Sequence, residues 1–184
     1  MLACSSISQV GYIVLGVGLA NDRALTGALL HVLNHAVMKG ALFMAAGAII
    51  QTTGQRDVRR FGRLHHRMPL TATVVLLGAL SMIGIPPTCG FFSKWYLLLG
   101  SLEAGSWASA GVILLSSLLN AIYFFRVIER SLMAGGEPGG RSEAPLSMLL
   151  PMAVLGAAIL LLGIFNQAIV AALLAPALRL APWR

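Results

Sequence analysis

The chain has 184 residues, of which 58% are apolar and 10% charged, and its formal net charge is +7. Its mean hydropathy of +0.84 excludes a soluble globular protein, because soluble domains are only about half apolar and about a quarter charged. The composition predicts an all-α integral membrane protein. The pI of about 10.5 does not indicate nucleic-acid binding, since no aromatic side chains are interleaved with a basic surface.

Five hydrophobic stretches are long enough to cross a bilayer as helices, at about 20 residues each. In chain order the spans are predicted at Cys4–Ala20, Leu25–Ile50, Pro69–Gly100, Trp107–Val127 and Pro145–Phe165. The apolar tail 166–184 either extends the last span or lies along the interface. We therefore predict a single membrane domain over residues 1–184, with five transmembrane helices.

The first span carries a polar stripe. Its members are Ser5, Ser8, Gln9 and Tyr12. Such a stripe could hydrate a path through the membrane. Equally, it could form hydrogen bonds between helices, which are worth on the order of 1 kcal/mol in membranes.

The second span carries a ladder of titratable groups. In the segment HVLNHAVMKGALF, His31, His35 and Lys39 recur at every fourth position, with Asn34 beside them. At 3.6 residues per turn these groups share one face of a helix, about 6 Å apart along its axis. A polar face in lipid has to meet protein or water, and groups that both take and give a proton could relay one along the helix.

Two other uses of the histidines share this spacing. A metal site would need a carboxylate or a third soft ligand nearby, and none is present in the segment. Haem ligation would need histidines from two helices, and no other span contains one. Core packing remains an alternative for either histidine alone. We expect no metal and no cofactor, and Cys4 and Cys89 have no ligand-like spacing.

Arginines in the loops predict the orientation, because Lys and Arg accumulate on the cytoplasmic side. The loop between the second and third spans holds a single acidic residue, Asp57, against Arg56, Arg59, Arg60, Arg63 and Arg67. If the third stretch is one crossing, the loop after the fourth span lies on the same side, with Arg126, Arg130 and Arg141. The expected location is a bacterial plasma (inner) membrane, with the N-terminus cytoplasmic and the C-terminus external.

The third span, LLGALSMIGIPPTCGFFSKWYLLLG, is predicted to be a discontinuous helix. Pro86 and Pro87 remove two backbone donors and interrupt the helix near its middle. Broken helices in a bilayer occur where the freed backbone groups meet protein or water, and transporters place ion sites there. Lys94 follows the break, with Ser93 beside it. A simple proline kink is the alternative.

Lysine and arginine are distributed differently. Every arginine lies in a loop, at a span end or in the tail, whereas the only two lysines, Lys39 and Lys94, lie within spans. Arginine stays charged under biological conditions, but a desolvated lysine can lose its proton near neutral pH. The lysines are therefore candidates for proton exchange, although a lysine near a span end could also reach the headgroups.

These segments resemble a known family. SSISQVGYI, HxxxHxxxKGALF and MIGIPPTCGFFSK, in this order and spacing, are similar to the last five of fourteen helices of the antiporter-like subunits of complex I, membrane-bound hydrogenases and Mrp antiporters. The resemblance implies a proton path through His31, His35, Lys39 and Lys94. Within the family, the segment GIPPTCGFFSKWYLL looks most like the D subunit of Mrp-type sodium/proton antiporters, with a complex I subunit as the runner-up.

The resemblance also implies partners. The family's entry half of the path lies on earlier helices, so this chain is expected to be a C-terminal portion that conducts only with an N-terminal part and other membrane subunits. An alternative of another class is a non-conducting assembly element, which would hold neighbours through small residues such as Gly16 and Gly18. The sequence contains no catalytic site of an enzyme.

Overall fold

The computed structural model describes residues 2–54, 56, 57, 64–132, 140 and 142–174. Within these residues the chain is helical and contains no strand, as predicted. The helices are α1 (Leu2–Leu19), α2 (Asp22–Thr53), α3 (Leu64–Arg67), α4 (Pro69–Ile83), α5 (Cys89–Glu103), α6 (Trp107–Leu132), α7 (Leu146–Ile164) and α8 (Asn166–Ile169), followed by a π-helical turn, Val170–Leu174.

Four of the described helices, α1, α2, α6 and α7, are long and apolar enough to cross a membrane. The third predicted span is divided into α4 and α5, of 15 residues each. The helix stops at Ile83 and starts again at Cys89, with Pro86 and Pro87 between them. This confirms the predicted discontinuity.

Helices α4 and α5 together make one crossing antiparallel to α2. Contacts and hydrogen bonds pair their positions with steadily earlier positions of α2: Gly78 with Leu42, Cys89 with Asn34, Ser93 with His31, Leu97 with Gly27 and Gly100 with Ala24. Helix α1 is also antiparallel to α2, since Lys39 bonds Leu2 and Gly16 contacts Ala28. The second span therefore packs against both the first and the third, and the first also contacts the third at Gly16 and Leu97.

Glycines make the break possible. Gly84 ends α4 at φ 93°, a left-handed conformation that glycine adopts without a Cβ penalty, and its N–H bonds Leu80 O. Gly90 lies directly against the backbone of Ser81, and Gly163 of α7 lies against Pro87 O. A Cβ at either glycine would overlap those atoms, so α4, α5 and α7 meet at the break at backbone distance.

Each end of the bundle brings separate turns of the chain together. At one end Arg23 pairs with Glu103 at 3.5 Å and Asn21 bonds Gly100 O, so these two turns lie together. At the other end His65 bonds Ser131 O, which brings the loop before α4 to the end of α6. Four of the predicted loop and tail features lie outside the described residues, namely Arg59, Arg60, Arg63 and Arg141.

Two of the spans are longer than predicted. Helix α2 continues three residues past Ile50 to Thr53, and α6 continues past Val127 to Leu132. The tail begins with the helical turns of α8 and Val170–Leu174, and the latter turn packs against α2. Residues 175–184, including Pro176 and Arg179, lie outside the described residues.

Candidate functional site

The predicted ladder lies on one face of α2, toward α1 and α5. His31 is fully buried and Lys39 is 6% exposed. The imidazole rings of His31 and His35 are parallel within 12°, with their centroids 6.3 Å apart, which agrees with the predicted spacing. His35 Nε2 is buried and has no hydrogen-bond partner among the described residues.

His31 is held from both sides. Its Nδ1 lies 2.8 Å from Ser93 Oγ on α5, and its Nε2 lies 3.1 Å from Gln9 Oε1 on α1. The ring of Tyr12 packs edge-on against the imidazole, with centroids 5.4 Å apart. Both ring nitrogens of this buried histidine are therefore engaged by neutral groups from two other helices.

Lys39 reaches across to the beginning of α1. Its Nζ donates hydrogen bonds to Leu2 O at 2.6 Å and to Ser5 Oγ at 2.5 Å. Its Nζ also lies 6.0 Å from the centroid of the Phe43 ring. The polar stripe of α1 thus contacts the ladder at both ends, with Ser5 at Lys39 and Gln9 at His31.

Lys94 points back into the helix break. Its Nζ donates to Met82 O at 2.8 Å and to Ile83 O at 3.1 Å, and it lies 5.3 Å from the centroid of the Tyr12 ring. Lys94 is 6% exposed, and among the described residues neither it nor Lys39 is paired with a carboxylate. The ammonium is therefore held by backbone oxygens in the interior, which excludes snorkelling to the headgroups in this arrangement.

The prolines explain why these two carbonyls are available. In an α-helix each N–H bonds the carbonyl four residues earlier, so Met82 O and Ile83 O would receive the N–H groups of residues 86 and 87. Both positions are proline and have no N–H. Lys94 supplies the two missing donors. The sequence analysis missed these acceptors, although counting four residues back from each proline identifies them.

The remaining predicted residues have supporting contacts. Asn34 donates to Cys89 O at 2.8 Å and so fixes the first turn of α5 against α2. Ser8 bonds Ser5 O within α1. Ser5 and Ser8 also line an open cavity of about 950 Å³ between α1 and α6, together with Ser116, Asn120 and Tyr123. Water in that cavity would reach the hydroxyl group that binds Lys39.

Two other hypotheses from the sequence concern a metal site and a surface of small residues for neighbouring subunits. The described residues contain no group of three or more His, Cys, Asp or Glu side chains that could hold a metal ion. Gly16, named above as a surface for neighbouring subunits, contacts Leu97 and Ala28 inside this chain, whereas a Cβ at Gly18 would meet no other described helix within 4 Å. Gly16 therefore serves internal packing.

This fold and this site define an all-α integral membrane protein with two lysines and a histidine buried between its helices. The chain belongs to the transmembrane family of NADH:quinone oxidoreductase and Mrp antiporter subunits, whose sequence pattern matches residues 1–120.

Individual relatives extend the similarity beyond residue 120. The chain is 50% identical to NADH-quinone oxidoreductase subunit N of Desulforudis audaxviator (strain MP104C) over all of its length and 39% of that protein's. It is 36% identical to the D subunit of the Na(+)/H(+) antiporter of Alkalihalophilus pseudofirmus over 69% of its length and 26% of that protein's. A chain in the structure of the Mrp complex from Dietzia sp. DQ12-45-1b superposes with a TM-score of 0.83 and 27% identity, over 91% of this chain and 40% of that one. The chain thus spans about two fifths or less of the proteins it resembles.

Proposed function

We propose that this chain carries part of a proton path in a multisubunit membrane assembly. The path runs from Lys39 through His35 and His31 to Lys94. Protons move along it from one group to the next, and no other bond is made or broken. The observation that supports it best is the row of titratable groups on α2 and α5, of which His31, Lys39 and Lys94 are buried. Both lysines bind neutral oxygens and no described carboxylate. A lysine held in this way can give up its proton without leaving a carboxylate unpaired.

The spacing along the path suits transfer through bridging water. The rings of His31 and His35 are 6.3 Å apart, a distance that one or two water molecules can bridge by hydrogen bonds. Lys39 follows His35 by one helical turn, and its partner Ser5 borders the cavity between α1 and α6. We infer that this cavity supplies the water at the Lys39 end of the path.

The experiment compares two histidine substitutions in membrane vesicles that contain the assembled complex. His31→Gln keeps hydrogen-bonding capacity but cannot exchange a proton, so proton flux should fall at least about tenfold. The control is His66→Gln, because His66 is exposed and lies outside the spans. Equal amounts of assembled complex are compared. Wild-type flux in the His31 variant would contradict the proposed path.

The host assembly is proposed from the relatives. The greater identity to a subunit of NADH-quinone oxidoreductase favours a respiratory complex over the Mrp-type antiporter suggested by the motifs. In everted vesicles, flux through the respiratory host is driven by NADH in the presence of quinone. Flux through an antiporter host is driven by a sodium gradient without NADH, and that result would favour the antiporter.

The non-conducting alternative predicts the opposite pattern. An assembly element tolerates the replacement of Lys39 by Met with unchanged flux, but loses its partners when small residues on its outer face are enlarged. Gly18→Leu is the suitable variant, since a Cβ at Gly18 would meet nothing within 4 Å on the other helices that the structure describes. We expect Lys39→Met to lose flux and Gly18→Leu to keep it.

We further propose a bacterial plasma (inner) membrane location, with the N-terminus cytoplasmic.

A further inference from the structure

Gln9 is fully buried on α1, and the two ends of its amide have different surroundings. Its Oε1 lies 3.1 Å from His31 Nε2. Its Nε2 finds no hydrogen-bond partner among the described residues. Leaving a buried donor unpaired costs free energy. The one hydrogen bond of this amide with a described residue is the one to His31, and that bond indicates its role.

On the opposite side of the imidazole, Ser93 can either donate a hydrogen bond to His31 or accept one from it. Ser93 Oγ lies 2.8 Å from His31 Nδ1 and 3.2 Å from Gly90 O. A hydroxyl has one proton to donate, and a carbonyl only accepts. Ser93 therefore either donates to His31, or donates to Gly90 O and accepts from His31. The direction of the hydrogen bond between Ser93 and His31 depends on whether His31 Nδ1 carries a proton.

One amide orientation suits a His31 that carries a proton on Nε2. When Gln9 presents Oε1, His31 Nε2 has to donate, because an amide oxygen only accepts. A neutral ring then has a bare Nδ1 that accepts from Ser93. A doubly protonated ring donates from both nitrogens, and Ser93 turns to Gly90 O.

The other orientation suits the opposite tautomer. Rotating the Gln9 amide by half a turn exchanges oxygen and nitrogen, which occupy nearly the same space. Gln9 then donates from Nε2 to a bare His31 Nε2, and His31 Nδ1 donates to Ser93. The unpaired nitrogen of Gln9 also gains a partner in this state. Rotation of the amide and of the hydroxyl thus matches each protonation state of His31.

We propose that Gln9 is a positioning residue for His31, whose amide rotates to keep Nε2 hydrogen-bonded whether or not that nitrogen carries a proton. The inference rests on the proposed proton path and adds a residue to it. A proton that arrives at one ring nitrogen and leaves from the other inverts the tautomer. Gln9 and Ser93 then invert with it and keep the ring in place, and both turn back when the first tautomer is restored before the next proton.

The proposal predicts opposite tautomers in two variants. Gln9→Met keeps the side-chain volume but offers no hydrogen bond, so a neutral His31 should carry its proton on Nδ1, toward Ser93. Ser93→Ala removes the partner of Nδ1, so a neutral His31 should carry its proton on Nε2, toward Gln9. The nitrogen-15 shifts of labelled histidine in the assembled complex in lipid report the tautomer, and His31→Gln identifies the His31 signals by their loss.

Proton flux is measured on the same preparations. Each variant should reduce flux at least about tenfold, because His31 is restricted to one tautomer. The control is Gln51→Met, the same substitution at an exposed position near the end of α2, which should leave both the His31 signals and the flux unchanged.

Three results would overturn the assignment of Gln9. They are wild-type His31 signals in Gln9→Met, the same tautomer in both variants, and flux within twofold of wild type despite the expected tautomers. If Gln9→Met does not assemble, Ser93→Ala decides, since a proton on Nδ1 in that variant contradicts the proposal. Loss of flux in His31→Gln combined with wild-type behaviour of Gln9→Met would refute Gln9 alone and leave the proton path intact.

Discussion

Lys94 combines two tasks at a single side chain. Its ammonium group donates to the two carbonyls that Pro86 and Pro87 leave without donors. In the proposed path it also exchanges a proton. These tasks place different demands on the side chain, because holding the carbonyls requires N–H donors, whereas exchange requires a group that can lose its charge.

Substitution of Lys94 separates the tasks. Lys94→Arg retains the charge and the donors, so the protein should still fold and assemble, but flux should fall at least about tenfold because arginine does not deprotonate. Lys94→Met removes the donors as well and should also destabilise the protein by about 1–3 kcal/mol. Lys94→Glu can still exchange a proton, so its flux should lie between those of wild type and Arg. Flux is measured in vesicles of the assembled complex, and wild-type flux in the Arg variant would leave Lys94 with a structural role only.

At the scale of elements, the break between α4 and α5 depends on close backbone packing. Gly163 of α7 contacts Pro87 O and the backbone of Thr88 and Cys89. These atoms belong to the main chain and cannot move aside as the end of a flexible side chain could. The position of the break, and with it the acceptors of Lys94, is therefore tied to α7.

Enlarging this glycine should disturb the break. Gly163→Ala places a Cβ against Pro87 O and is expected to destabilise the protein by about 2–3 kcal/mol, the cost of overpacking a close contact. Gly111→Ala is the matched control, because a Cβ at Gly111 in α6 would meet none of the other described helices within 4 Å, and alanine is the better helix former by about 1 kcal/mol. The thermal midpoint of the assembled complex distinguishes them, and equal midpoints for the two variants would refute this account of the break.

For the whole molecule, the antiparallel order of the spans fixes which loops share a side. Arg23 and Glu103 meet at one end, and His65 meets the end of α6 at the other. The exposed pair at the first end contributes little stability, but it shows that the turns at 21–23 and 103–106 lie together. The end of α2, which Arg56 follows, and the end of α6, which carries Arg126 and Arg130, are then both at the opposite end.

Cysteine labelling tests the proposed orientation. In a Cys4→Ser background, which removes the exposed native thiol while the buried Cys89 remains, Thr53→Cys should react with an impermeant reagent only from the cytoplasmic side. Ala104→Cys, at the exposed turn after α5, should react only from the other side. Reaction of Thr53→Cys from outside would reverse the orientation.

The sequence by itself determined the features that depend on local spacing and composition. Apolar runs predicted the spans, the four-residue interval predicted the face shared by His31 and His35, and two adjacent prolines predicted the discontinuity of the third span. Each follows from helix geometry or from the chemistry of single residues. The ends of α2 and α6 were predicted a few residues short, because polar residues there extend a helix past its apolar part.

Only the tertiary structure decided which groups these side chains meet. The partners of His31 come from α1 and α5, and those of Lys39 from the start of α1. Lys94 turns back across the break to Met82 and Ile83, which no helical periodicity connects to it. These contacts depend on glycines that let the helices approach closely. Such glycines lie on α4, α5 and α7, and Gly16 has the same role on α1. Residues distant in sequence meet through packing of the whole bundle, and a local pattern carries no record of that packing.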